Sequence, residues 1–229
     1  MGMCISDIDG VFITHIHGDH VQEATVRSLV KEHIPIYCHP QIEHHLLKKY
    51  HSVAIASHEK LLKPVTTSEV ELNTLRVTAF EVPHDSDGGC FGYSVYCDEG
   101  GKTKKVSVST DMACATESAI GHIANSDVIV IESNYDEVML DRSGRPEWLQ
   151  RRIRENGHLS NDQCAEALLQ IIAQSDIPPL HLALAHVSQQ CNTNAKAHNC
   201  TNLALKERGV RGIDIHETYP DKSGCIMVV

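Results

Sequence analysis

Between residues 15 and 20 the chain reads His15-Ile16-His17-Gly18-Asp19-His20, which places four side chains able to ligate a metal within six residues. Imidazole and carboxylate together suit Zn²⁺, Mn²⁺ or Fe²⁺. If the segment is extended, His15 and His17 face the same way and can reach one ion. A turn at Gly18 would then carry Asp19 and His20 into a helix, aiming them at a neighbouring position, so that four ligands imply two adjacent metals. With 16 histidines in the chain, a solvated turn in which Asp19 caps the helix is the plainer alternative.

Three further segments bear on the choice. His84 in "VPHDSDGG", Asp111 in "VSTDMA" and His186 in "LALAHVS" each follow a short apolar run. Polar residues emerging from buried strand ends are where sites on sheets are usually built. Taken singly, a strand-terminal Asp reads as a turn residue and a lone His as a surface group. Taken together with the first motif they make seven ligands, the number a two-metal hydrolytic site needs.

The elements that must position these residues are legible as short β-branched runs: 11–14, 34–38, 75–82, 91–97, 105–110, 127–132, 180–186 and 213–217, each bounded by Gly, Pro, Asp or Ser. Between them lie helical patterns. Residues 20–33 place Val26, Leu29, Val30 and His33 on one face, and residues 161–175 do the same with Cys164, Leu168, Ile171 and Ile172. Ser160 and Gln163 are spaced for a capping box at the start of the second helix. Residues 42–50 and 195–208 are weaker helical segments. Strands and helices without strict alternation predict an α/β (α+β) fold with helices on the outer faces of the sheets.

The bulk properties fit that picture. At 229 residues and 41% hydrophobic, the chain is long enough for one substantial core, and we read residues 1–229 as a single domain. The aromatic fraction of 4% predicts a core of Val, Ile, Leu and Ala. A net charge of −10 argues against passive, charge-driven nucleic-acid binding, although a local basic patch and bound divalent ions can reverse the field around a site. Nine cysteines, an odd number with no CxxC pair, point to reduced thiols. The first ten residues carry no basic and apolar leader, and no run approaches the roughly 18 apolar residues of a membrane span. These features predict a cytoplasmic protein without a membrane segment.

The HxHxDH motif, followed by a strand-end His, a strand-end Asp and a later His, resembles the metallo-β-lactamase superfamily over nearly the whole chain. Within it, "IESNYDEVML", "RRIRENGHLSN" and "HVSQQCN" resemble the WalJ/YycJ branch of metal-dependent hydrolases, with a site similar to that of ribonuclease Z. The resemblance implies a four-layer αββα sandwich and two divalent metal ions, Zn²⁺ or Mn²⁺, with Fe²⁺ as a further option. It implies His15, His17 and His84 on one ion, Asp19, His20 and His186 on the other, and Asp111 between them. It further implies that Asp19 orients the attacking water, that His158 gives a proton to the leaving oxygen, and that Glu132 holds the His158 imidazole. Read from the sequence alone, Glu132 could equally terminate a strand and His158 belong to a helix-terminal turn. Members of the family ordinarily begin with some tens of residues ahead of the metal motif, so the expectation is either a fragment or late-start form of the sequence or a first sheet built with fewer N-terminal strands.

The activity implied is 5′-to-3′ exonuclease cleavage of DNA, in preference to RNA; the alternative is hydrolysis of a small ester, thioester, lactone or cyclic phosphodiester by the same centre. A lactamase proper is disfavoured, because Asp111 stands where those enzymes typically use Cys. Arg142, Arg145, Arg151 and Arg152 surround Trp148, the single tryptophan. This cluster reads either as a phosphate-contacting, base-stacking patch for nucleic acid or as a solvated amphipathic helix with Trp148 as its core anchor.

Overall fold

The computed structural model describes residues 4–66 and 69–229. Met1–Met3, at the start of the segment read as lacking a leader, lie outside the described residues, as do Thr67 and Ser68. The chain divides into two compact units, Met1–Glu81 with Asp85–Tyr93, and Val82–His84 with Ser94–Val229.

The first unit carries a parallel three-stranded sheet ordered β1 (Val11–Ile13), β2 (Ile36–Cys38) and β3 (Leu62–Pro64), connected through helices α1 (Glu23–Lys31), α2 (Pro40–Lys49) and α3 (His51–His58). Val26 and Leu29 of α1 and Ile42 and Leu46 of α2 are buried, as their helical spacing predicts. Pro40 opens α2 at the first helical position, where its fixed φ is already helical and its missing N–H is not needed. Two short strands, β4 (Val70–Leu72) and the first part of β5 (Leu75–Val82), pair antiparallel around Asn73, which sits in the left-handed region at φ 54°.

Helix α1 starts at Glu23, not at Asp19 as expected. The His17 carbonyl accepts from both the His20 and Val21 amides, closing a tight turn, and Gln22 is extended, which interrupts any helix before Glu23. The helix also stops at Lys31, and His33 takes φ 55° instead of joining its buried face.

Strand β6 (Cys90–Glu99) starts in the first unit and ends in the second. The second unit continues with β7 (Lys102–Ser109), α4 (Glu117–Ile123), β8 (Val128–Glu132), α5 (Glu137–Asp141), α6 (Glu147–Arg152), a π-helical turn at Ile153–Gly157, α7 (Asn161–Ala173), β9 (His181–Ala185), α8 (Asn194–Glu207) and β10 (Asp214–Glu217). Strands β7, β8, β9 and β10 are parallel neighbours in that order. Helix α7 opens with the predicted capping box: Ser160 Oγ accepts from the Gln163 amide at 3.1 Å, and Gln163 Oε1 accepts from the Ser160 amide at 2.9 Å. It buries Cys164, Leu168 and Ile171, and truncating the fully buried Leu168 to Ala costs about 2–5 kcal/mol. The Trp148 alternative is settled against core anchoring. Trp148 is 62% exposed, whereas Ile153 and Leu149 pack on Tyr135, Leu140 and Cys191.

Parallel strands have all their carboxyl ends on one edge, and in open α/β sheets that edge is where ligands bind. Glu132 ends β8, His186 follows β9 directly, and Asp111 comes two residues after β7. Among the described residues, no helix is long and apolar enough to cross a membrane.

Candidate metal centre

In the first unit the loop Thr14–Val21 is clamped along its length. The Ile13 and Thr14 carbonyls accept from the Tyr93 hydroxyl and the Phe91 amide. The Ile16 carbonyl accepts from Lys49 Nζ, and the Val21 carbonyl from the Tyr50 hydroxyl, each at 2.6 Å. The tether makes His15, fully buried, the centre of an imidazole cluster: its ring lies 4.6 Å from that of His17 and 4.2 Å from that of His20. The Thr14 hydroxyl sits 3.0 Å from His15 Nδ1 and 3.4 Å from His20 Nδ1, so one side chain orients two rings. Asp19 is exposed at the tip, its carboxylate 3.8 Å from His20 Nε2. Three clustered imidazoles would repel one another if protonated, whereas as neutral rings beside a carboxylate they offer lone pairs to a cation.

In the second unit the organising group is Glu132, a carboxylate with no solvent exposure. Its two oxygens accept from five donors: the amides of Asp111 (3.2 Å), Met112 (3.1 Å) and Leu159 (2.8 Å), and Nδ1 of His158 (2.9 Å) and His186 (2.7 Å). Burial alone would raise its pKa, but the hydrogen bonds and charge of His158 and His186 outweigh that and lower it to about 2. An ionised Glu132 is acceptor-only, so both histidines donate Nδ1–H to it, and in the neutral ring each keeps its lone pair on Nε2. This is the arrangement by which a buried carboxylate fixes the tautomer and direction of a metal-ligating histidine.

His84 is held by the same logic with a different partner. Its Nδ1 donates to the Gly157 carbonyl at 2.8 Å, while Nε2 faces Asp111 Oδ1 at 3.9 Å. Asp111 Oδ1 also lies 3.5 Å from His186 Nδ1 and 3.6 Å from His158 Nδ1. Asp111 and His186 both take positive φ, 59° and 51°, a conformation that non-glycine residues hold only when their surroundings dictate it. For Asp111 the dictating contacts are the Glu132 carboxylate on two consecutive amides and the Pro83 carbonyl on Ala113. For His186 the constraint is Asn134, which donates to its carbonyl at 2.8 Å.

Of the predicted residues, His15, His17, Asp19 and His20 thus lie together in the first unit, and His84, Asp111, Glu132, His158 and His186 together in the second. Sequence reasoning missed the frame that carries the second group. Gly157 closes the π-turn and turns its carbonyl to His84, and a side chain there would meet the Arg152 carbonyl at 3.3 Å. Asn161 and Asn192, both buried, bond each other, and together they bond Ser133 Oγ and the Ser133 and Asn134 carbonyls. Asn134 and Asn161 stand in "ESNYD" and "HLSN", where Asn reads most simply as a turn or cap residue, whereas Asn192 stands in the polar run 189–199 just after His186, which the sequence already offers as lining for the site.

A cleft of about 580 Å³ opens in the second unit, with His158, His186, Asn134, Asn192, Arg145 and Tyr219 among its walls. Arg145 is steadied by Gln190 Oε1 at 2.9 Å. Arg154 instead pairs with Glu137 and Asp141 on the outside.

The family described as "Beta-lactamase superfamily domain" matches residues 4–181. The chain is 28% identical over 224 residues to the exodeoxyribonuclease YycJ of Bacillus anthracis, spanning 94% of this chain and 79% of that protein. It is 27% identical over 221 residues to the exodeoxyribonuclease WalJ of Streptococcus pneumoniae, spanning 94% and 78%. In fold it is similar to the metallo-β-lactamase fold protein YhfI of Bacillus subtilis (TM-score 0.63, 16% identity, 96% of this chain and 78% of that one). It is also similar to unliganded yeast PDE1 (TM-score 0.66, 16% identity, 93% and 67%). The motif, the mixed α/β architecture and these matches agree: the chain belongs to the β-lactamase superfamily, with the metallo-β-lactamase fold.

Proposed function

We propose that the protein is a two-metal phosphodiesterase that acts as a 5′-to-3′ exonuclease on DNA. Its ligands are His15, His17 and His84 for one ion and Asp19, His20 and His186 for the other, with Asp111 shared. The donor set fits Zn²⁺ or Mn²⁺, and Fe²⁺ as well: it consists of imidazoles and carboxylates, and His84 and His186 each have Nδ1 committed to an oxygen acceptor, leaving Nε2 for an ion. When bound, two such ions lower the pKa of a shared water and offset the charge that builds on a phosphate during in-line attack.

The chain's own residues supply the rest. Asp19 accepts a hydrogen bond from the attacking water and points it. His158, as the imidazolium, gives the proton on Nε2 to the leaving oxygen, and the buried Glu132 carboxylate on Nδ1 stabilises the positive ring until transfer. The observation that carries the reading is this pair at the wall of the cleft, His158 held 2.9 Å from a fully buried carboxylate, with Arg145 on the same cleft to receive a phosphate. Exposed Trp148 with Arg142, Arg151 and Arg152 is the surface for the rest of a strand, through base stacking and phosphate contacts. The names of the YycJ and WalJ relatives supply the choice of DNA. One domain of 229 residues acting in the cytoplasm completes the proposal.

A second reading is favoured by one feature of the cleft: besides Arg145 and its two histidines, its polar walls are neutral, including Asn134, Ser188, Gln189 and Thr193. Such walls suit a small ester, thioester, lactone or cyclic phosphodiester. A divalent-metal screen separates the two, using 5′-labelled duplex and single-stranded DNA beside a generic phosphodiester. Metal-dependent release from the 5′ end supports the exonuclease. Turnover of the small phosphodiester with neither DNA cut would replace it with the second reading. His158→Ala should lower kcat by about 10²–10⁴ with metal content unchanged, and loss of metal would show that His158 is a ligand and not an acid.

A further inference from the structure

We propose a second kind of metal site, a zinc clip between strands β9 and β10, built from His181, Asp214 and His216. None of these residues is among those assigned to the catalytic ions. The strand register dictates their convergence. Asp214 pairs directly with His181 across the parallel ladder, so their side chains leave the same face of the sheet. His216, two residues beyond Asp214, returns to that face.

The three ligand atoms meet. His216 Nε2 lies 3.0 Å from His181 Nδ1, and an Asp214 carboxylate oxygen lies 3.7 Å from the same Nδ1. Tetrahedral zinc at its usual bond lengths separates ligand atoms by roughly 3.3–3.5 Å, which the two distances bracket.

The outer nitrogens supply the second observation. His181 Nε2 donates to the Val228 carbonyl at 3.1 Å, which in the neutral ring leaves the lone pair on Nδ1, facing inward. His216 Nδ1 lies 2.8 Å from Cys225 Sγ. Both rings therefore have a partner behind them, as metal-ligating histidines do, and Asp214 brings the negative charge. Without a cation the same atoms form a proton chain, in which the Cys225 thiol donates to His216 Nδ1 and His216 Nε2–H donates to His181. Zinc takes the place of the inner His216 proton, which moves within the neutral ring to Nδ1, so that Nδ1–H donates to the sulfur while the Cys225 thiol turns its own proton away, and no net proton is released. A soft transition ion is favoured over Mg²⁺ or Ca²⁺ because two of the three ligands are imidazoles.

The location gives the clip a purpose. β10 is the edge strand, four residues long, and it leads into the C-terminal segment that Val228 and Cys225 belong to. A zinc ion would bind this edge to β9 and fix the segment behind it.

The test is zinc content of the full chain by elemental analysis after removal of unbound metal, backed by chelator competition with Zn²⁺ alone. Asp214→Asn and His216→Gln should each remove one equivalent relative to wild type, or weaken one site at least about tenfold, while DNA cleavage is kept. Asp214 is largely exposed, so Asp214→Asn decides the matter even if His216→Gln does not fold. Equal zinc content and affinity in wild type and folded Asp214→Asn would overturn the clip. The catalytic assignment is read separately: its failure leaves wild type with one equivalent and the variants with none, whereas failure of the clip leaves the same two equivalents in all three.

Discussion

The two regions proposed to ligate metal are built in opposite ways. The loop His15–His20 draws its candidate ligands from six consecutive residues, clamped by hydrogen bonds to its backbone, and carries its carboxylate exposed at the tip. The group around Glu132 draws on residues from 84 to 186, and its carboxylate is buried with five donors. Stability and chemistry should therefore separate in the first region and be inseparable in the second. A buried, fully bonded carboxylate holds structure together, and removing it strands every donor around it. An exposed carboxylate contributes little to folding and can be kept for reactivity alone.

The largest effect is expected at Glu132. Glu132→Ala leaves two half-buried histidines and three amides without their acceptor and should destabilise the fold by about 3–5 kcal/mol, read by urea denaturation. A loss below about 1 kcal/mol would show that the hub does not hold the strand ends together. Next comes Asn192→Ala, which breaks the amide network beneath the cleft and should cost about 1–3 kcal/mol by the same measurement. In the loop, Asp19→Ala should leave stability within about 0.5 kcal/mol of wild type; a larger loss would erase the contrast between the regions.

The smallest effect concerns His39, whose imidazole stacks on Phe91 at 3.9 Å and accepts from the Gln41 amide at the start of α2. Burial, partly offset by Glu81, lowers its pKa below 6.5. The folded state thus disfavours the protonated ring, so its contribution is complete above pH 6.5 and is lost as pH falls through the lowered value. His39→Gln should flatten the pH dependence of stability just below 6.5, and an unchanged slope would remove the assignment.

The same contrast explains what could be read from the sequence. The loop motif is contiguous, so its candidate ligands are legible at once, as is β5 at 75–82, a β-branched run closed by Pro83. The capping box fixed the start of α7 because Ser160 and Gln163 are both side-chain signals. The start of α1 was misread because its N-cap, Gln22, makes no side-chain cap. Helix α3 escaped notice because its buried face consists of Ser52, Val53 and Ala56, too small for a periodic signal, and β3 is three residues ending in Pro64. Read from its own neighbourhood Glu132 is only a strand-end acid, and its pairing with His158 is legible through the family resemblance alone. That it would bind two histidines and three amides depends on contacts across 20 to 54 residues of chain, which no local pattern encodes.

The exposed Asp19 should serve chemistry and not folding. Cleavage of 5′-labelled DNA by metal-loaded wild type and Asp19→Ala, run beside their denaturation curves, tests it most directly. The rate should fall at least about 10²-fold in a variant whose stability is unchanged. Full activity in the metal-loaded variant would contradict it.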